Sequence, residues 1–299
     1  MTAYVLAHLS DPHLAPLPQP SPRELMGKRM LGYLNWTRNR HAFHRRDVLD
    51  ALIADMKAQR PDHIAVTGDL MNLSLDAELK QAAKWLRSVG TPEHVSLVPG
   101  NHDAYVPDMH DRFASEWADY LRGDNAPPDS AVTFPYVQRR GPLVLIGLST
   151  AVPTPPFMAT GKLGTQQLAA LEKILASTPP EEAFRVLLIH HPLDTDVKRR
   201  YKRLLDADEL TAILRRRGAE LVLHGHDHRH ATICIDGLRG KIPVVGVPSA
   251  SAADDGKHDP AAYNLFAITR ESDHWRCDMR VRSSLKNGIW KDVRETRLI

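Results

Sequence analysis

The sequence predicts an α/β protein organised around a largely parallel sheet. Two observations predict it. Short apolar runs bounded by Gly, Pro or Asp alternate with amphipathic helical segments, and the side chains capable of chemistry gather just after those runs. The runs fall at residues 4–9, 63–67, 95–98, 143–148, 185–189, 221–223 and 243–246.

Taken in order, the 4–9 run is followed at once by Asp11-Pro12-His13. Residues 14–22 hold Pro16, Pro18, Pro20 and Pro22, whose fixed φ and missing N–H predict an extended loop. From Arg23 to Arg46 the chain is basic, with Glu24 the sole acid, and Met26, Met30, Leu31, Tyr33, Leu34, Trp36 and Phe43 interleave with the cations. Its secondary structure is not assignable from pattern; residues 14–46 read as a cap-like insertion. Val48, Leu49, Leu52, Ile53 and Met56 then share one face of a helix, as do Leu75, Leu79, Ala82, Ala83 and Leu86. Leu168, Leu171, Ile174 and Leu175 form a third such stripe. Leu210, Ile213 and Leu214 form a fourth, with Asp206 or Asp208 at its start, Arg215–Arg217 in its last turn and Gly218 just beyond. Residues 151–156 are a proline-rich loop after a strand. The tail changes character: residues 263–269 and 275–282 alternate as strands do, and Lys286-Asn287-Gly288 predicts a turn before a strand at 289–293. With no repeat, low-complexity tract or linker, residues 1–299 read as one domain with a β-rich portion at about 260–299.

Composition excludes several classes. Hydrophobic residues at 42% and charged residues at 25% rule out disorder and fibrous repeats. A net charge of +3, from 39 Lys+Arg against 36 Asp+Glu, is too small to argue for a nucleic-acid partner. Cys234 and Cys277 cannot form a disulfide framework or a four-thiolate zinc site, although one bridge between them is allowed. No apolar stretch approaches the ~20 residues that span a bilayer, and 4–9 is too short for a secretory leader, so a cytoplasmic location is expected. The excess is in histidine, 16 of 299 residues.

Position along the chain explains much of that excess. Asp11-Pro12-His13, Gly68-Asp69, Gly100-Asn101-His102-Asp103, His190-His191 and Gly225-His226-Asp227-His228 each follow a predicted strand, the end at which open α/β sheets bind ligands. Singly, each has a bland reading as a turn, a loop dipeptide or a structural histidine. Five in order, all after strands, are not coincidence. Mixed carboxylate, amide and imidazole donors suit Mn, Fe or Zn, and seven donors exceed one ion's needs unless a carboxylate bridges two.

This order resembles the calcineurin-like metallophosphoesterase superfamily, whose pattern is Asp-x-His, Gly-Asp, Gly-Asn-His-Asp/Glu, His and Gly-His-x-His. All five blocks are present between residues 11 and 228. The resemblance implies two packed mixed β-sheets flanked by helices, a four-layer sandwich with a di-metal centre at the sheet edges. It implies that Asp11, His13, Asp69 and His228 hold one ion and that Asp69, Asn101, His190 and His226 hold the other, Asp69 bridging; His191 is the reserve for His190. The expected chemistry is attack on a phosphodiester by a hydroxide shared by the ions, with His102 protonating the leaving oxygen and Asp103 orienting His102 or serving only its turn. His8, His63, His94 and His274 are expected to be structural or surface residues, while His224 and His230 flank the last motif.

Within the superfamily the chain is similar to the bacterial branch related to class III cyclic-nucleotide phosphodiesterases, on Gly-Asn-His-Asp, His-His-Pro and Pro248-Ser249. Cyclic nucleotides and other small phosphodiesters are therefore the expected substrates. The alternative is a lipid-linked substrate such as UDP-2,3-diacylglucosamine, because the basic, aromatic segment from Arg23 to Arg46 resembles the caps of relatives that act on it and suits peripheral contact with a membrane. A nuclease and a non-catalytic scaffold rank lower, no specific nucleic-acid partner is expected, and homo-oligomerisation stays open.

Overall fold

The computed structural model describes residues 3–193, 200–284 and 288–299. Its strands form two six-stranded sheets. The first contains β1 (Tyr4–Leu9), β2 (His63–Val66), β3 (Val95–Leu97), β10 (Ala262–Glu271), β11 (His274–Ser284) and β12 (Trp290–Arg297), in the order β12-β11-β10-β1-β2-β3. The second contains β4 (Tyr136–Arg140), β5 (Leu143–Gly147), β6 (Phe184–Leu188), β7 (Leu221–His224), β8 (Ala231–Gly237) and β9 (Gly240–Gly246), in the order β4-β5-β6-β7-β9-β8. Each sheet has a parallel run, β1-β2-β3 at one edge of the first and β5-β6-β7-β9 in the middle of the second, with antiparallel strands completing it. These are the two packed mixed sheets that the family resemblance implies; strand-helix alternation alone reads their parallel parts as one largely parallel sheet. Alternation sees the parallel units but not that they divide between two layers.

Burial explains the layering. On β1 the side chains alternate: Leu6 faces Leu145, Val186 and Leu223 of the second sheet, whereas Ala7 and Leu9 face outward. That outer face is covered by α3 (Arg46–Ala58), through Leu49, Leu52 and Met56, and by α4 (Asp76–Val89), through Leu79, Ala82 and Leu86. The second sheet's outer face is covered by α7 (Thr165–Ala176) and α8 (Ala207–Arg217), whose Leu168, Leu171, Leu210 and Leu214 are buried. Two helix layers therefore enclose two sheets, whose inner strands are buried on both faces while the edge strands β8 and β12 are largely exposed.

The basic insertion is helical: α1 (Lys28–Asn35), a π-helical segment (Trp36–Arg40) and the single turn α2 (His41–Phe43). Pattern does not reveal it, because Trp36 is the only buried side chain of these three helical pieces and no continuous apolar stripe marks them. Two short helices, α5 (Met109–Glu116) and α6 (Ala118–Leu121), follow β3. Cys234 is exposed and Cys277 buried, both as free thiols. Among the described residues no helix is long and apolar enough to cross a membrane. The turn expected at Lys286-Asn287-Gly288 falls largely on residues 285–287, outside the described residues.

Candidate metal centre

Each chemical block leaves the carboxyl end of a parallel strand. Asp11 and His13 follow β1, Asp69 follows β2, Asn101 follows β3, His190 follows β6, and His226 and His228 follow β7. The tight turns needed there put Asp11, His13, Asp69, His226 and His228 at φ between 36° and 71°, a left-handed region that non-glycine residues seldom occupy. Such strain, of order 1–3 kcal/mol per residue, persists only where the surroundings enforce it. The neighbouring glycines allow the loops to close. A Cβ on Gly225 would fall on Ser10 Oγ and Asp11 Oδ2, and one on Gly100 would fall on Asp69 Oδ1.

The structure brings all seven expected ligands into one buried cluster at the facing sheet edges. His228 Nε2 lies 3.1 Å from Asp11 Oδ1 and 3.2 Å from His13 Nε2. His190 Nε2 lies 3.3 Å from both Asp69 Oδ2 and Asn101 Oδ1. The same Asp69 Oδ2 is 3.8 Å from His13 Nε2, so one oxygen stands between the two groups of donors. Ligands bound at about 2.1 Å to one ion are roughly 3.0–3.4 Å apart at octahedral or tetrahedral angles, and the 3.1–3.3 Å spacings fit that edge length, the 3.8 Å one being longer. His226 Nε2 is buried without a hydrogen-bond partner, as a ligand atom reserved for a cation would be. His13 and His190 donate from Nδ1 to the carbonyls of Met71 (3.0 Å) and Thr67 (2.6 Å), which leaves each Nε2 lone pair for the centre.

The electrostatics agree. Asp11 and Asp69 are almost completely buried carboxylates. Against the effect of burial, His190 and His102 hold Asp69 well below the usual carboxylate range. Burial opposes charge on His190 too, yet Asp69 and Asp11 carry it up to about 10. Two buried carboxylates require positive charge beside them, and divalent or trivalent ions supply it. The residues present therefore fit a pair of metal ions.

His102 stands beside this cluster, its ring 5.0 Å from that of His13 and edge-on to it. Its Nδ1 donates to Asn72 O at 2.6 Å, so Nε2 faces the centre. Burial and the charge of Arg40 pull its pKa down to about 4. Asp103 does not orient this ring. Its carboxylate accepts from the backbone N–H groups of Gly100, Asp69 and Met71 at 2.8–3.0 Å, because the loop after β2 must be tied down and the ring already has Asn72. His191 bonds Thr150 and the Ala159 carbonyl and is no part of the ligand cluster.

Three contributors escape the sequence reading. Glu78, buried on α4, accepts from the N–H groups of Asn72, Leu73 and Leu75, fixing the loop whose carbonyls hold His13 and His102. Arg40 and His44, from the basic insertion, enter the centre: the guanidinium lies within 3.3 Å of His13, His44 and His102. His44 belongs with His13 and His228 as a further group of side chains able to hold a cation. An Arg-x-x-x-His spacing was the only available signal, and it is too common to stand out.

A family model described as calcineurin-like phosphoesterase matches residues 4–230. Among solved structures, a dimetal phosphatase from Danio rerio aligns at a TM-score of 0.62 with 12% identity, covering 100% of this chain and 99% of that chain. A purple acid phosphatase from seeds of yellow lupin, Lupinus luteus, aligns at 0.61 with 15% identity, covering 97% of this chain and 53% of that one. A sulfate thiohydrolase from Thermus thermophilus aligns at 0.55 with 20% identity, covering 94% and 56%. At these identities the likeness is one of fold. No curated protein sequence matches the chain.

Proposed function

Because the chain belongs to the calcineurin-like phosphoesterase family and is a metal-dependent phosphoric ester hydrolase, we propose that it is a phosphodiesterase using two ions, with Mn, Fe or Zn suited to these donors. Asp11, His13, Asp69 and His228 would hold one ion, and Asp69, Asn101, His190 and His226 the other. When bound, the pair of ions acidifies water to a nucleophile and neutralises phosphoryl oxygens. His102 protonates the departing oxygen, which an alkoxide needs and a phenolate does not. Burial first and the Arg40 charge second disfavour the protonated ring, and an incoming phosphate offsets the Arg40 part. The observation that carries this reading is one imidazole outside the ligand set, tethered through Nδ1 by Asn72, edge-on to His13, and with Nε2 on the Arg40 guanidinium that also reaches His13.

The test compares wild type and His102→Ala, metal content measured in both, on bis(p-nitrophenyl) phosphate, 3′,5′-cyclic nucleotides, glycerophosphodiesters and phosphomonoesters. His102→Ala is expected to keep its metals and most of its turnover on the nitrophenyl diester. Alkyl leaving groups should lose roughly 100- to 10,000-fold. Equal losses on both diester classes would reject the acid role, and preference for monoesters would reject the diester assignment.

A second reading, a lipid-linked substrate, is supported by α1. Met26, Met30, Leu31 and Leu34 are 42–73% exposed among the cations of residues 23–46, beside the same centre. An apolar, basic surface of this kind suits an acylated anionic substrate at a membrane.

A further inference from the structure

Arg40 has no place in the ligand pattern. The π-helical segment ends on it, and its guanidinium donates to His13 Nε2 at 2.9 Å, His102 Nε2 at 3.2 Å and His44 Nε2 at 3.3 Å. Among the described residues no carboxylate forms an ion pair with it. A guanidinium carried this far into a protein ordinarily takes a carboxylate or a phosphate, whose paired oxygens match its fork of donors.

Two of its three partners have other duties. His13 donates from Nδ1 to Met71 O, so its Nε2 can offer a lone pair either to an ion or to Arg40, but not to both. His102 Nε2 cannot accept from Arg40 while it carries the proton for a leaving group. His44 is different. Its Nδ1 lies 2.9 Å from Ser251 Oγ and its ring stacks at 5° on Trp36; because a guanidinium only donates, Nε2 accepts from Arg40 and Nδ1 donates to Ser251. Trp36, Arg40 and His44 recur every four residues through the π-helical turn, so one short stretch supplies the stack, the cation and its holder. Donors on both terminal nitrogens of Arg40 are then left aimed between the ligand cluster and His102.

We infer that Arg40 binds the substrate's phosphoryl group, clamping two of its oxygens from the side of the insertion, with His44 as a positioning residue that holds the guanidinium through Ser251. The inference rests on the phosphodiesterase reading. It makes the basic insertion part of phosphate recognition rather than a solvated face.

The test is calorimetric titration of inorganic phosphate into metal-loaded wild type, Arg40→Gln, Arg40→Lys, His44→Leu and the Arg40→Gln/His44→Leu double variant, with bound metal counted in each. Arg40→Gln should weaken phosphate binding about tenfold or more, with metal content unchanged. Arg40→Lys should recover part of the loss, since it keeps the charge without the fork. His44→Leu should weaken binding less and add nothing in the double variant, because it acts through Arg40. Wild-type phosphate affinity in fully metallated Arg40→Gln would overturn the assignment, as would loss of metal from that variant alone. Additive losses would remove the role of His44. A wild-type protein that binds no metal would instead sink the phosphodiesterase reading on which this rests.

Discussion

What a histidine can do here is decided by its second nitrogen. His13, His190 and His102 each spend Nδ1 on a backbone carbonyl, so Nε2 alone meets the centre. His63 shows the same logic away from the site. Its Nε2 donates to Ser96 Oγ at 2.8 Å, Ser96 in turn donates to Gln138, and Nδ1 is buried with no partner. Burial, with Arg140 assisting, pulls the pKa of His63 from 6.5 to about 3. A histidine depressed in the folded state stays neutral there while the unfolded chain takes a proton. Its contribution to stability is full above pH 6.5 and is lost as the pH falls toward 3. At pH 5 the loss is about 2 kcal/mol. His63→Gln keeps a donor for Ser96 and removes the titration, so the gap in urea-unfolding free energy between wild type and variant should shrink by about 2 kcal/mol from pH 7.5 to pH 5. A gap independent of pH would refute this.

At the scale of elements, legibility followed burial. Strands buried on both faces and helices with an apolar stripe are visible as patterns. The edge strands β4 and β8 are not, since β8 is largely exposed and β4 alternates over only five residues. The segment α1 to α2 is illegible for another reason: it folds against the mouth of the site through scattered polar contacts. Lys28 bonds Thr154 and sits 4.2 Å from the Tyr105 ring centre, and Arg29 reaches the Leu73 carbonyl at 3.1 Å. Trp36 is buried and Phe43 packs on the core, whereas Met30, Leu31 and Leu34 of α1 and the preceding Met26 are largely exposed. Replacing Met26, Met30, Leu31 and Leu34 together by Gln keeps helix propensity, removes only partly covered contacts and should lower the melting temperature by no more than about 5 °C. If α1 contacts lipid, the variant should lose sedimentation with anionic vesicles and turn over UDP-2,3-diacylglucosamine at least tenfold more slowly (about 1.4 kcal/mol), while 3′,5′-cyclic AMP hydrolysis is unchanged. Equal effects on both substrates would discard the lipid-linked reading.

For the whole molecule, the centre is a joint between sheets. Asp11, His13, Asp69 and Asn101 come from the first sheet, and His190, His226 and His228 from the second. Ions bound by both halves stabilise the folded state alone, by about 4 kcal/mol at a free concentration 1,000 times Kd. Chelation is thus expected to lower the melting temperature by roughly 10 °C, restored by adding back Mn or Zn. A metal-stripped protein melting with the loaded one would show that the ions do not bridge the sheets.

The sequence by itself determined the α/β alternation, the four helices that cover the sheets and the ordered blocks Asp11-x-His13 to His226-x-His228, because periodic burial and dense local motifs are written in neighbouring residues. Only the tertiary structure decided the strand order within the two sheets that the family resemblance implies, that Asp103 ties a loop rather than a ring, and that Arg40, His44 and Glu78 belong to the site. Those facts depend on contacts between residues far apart in the chain, such as His44 with Ser251, and a linear pattern of side-chain types carries no trace of them.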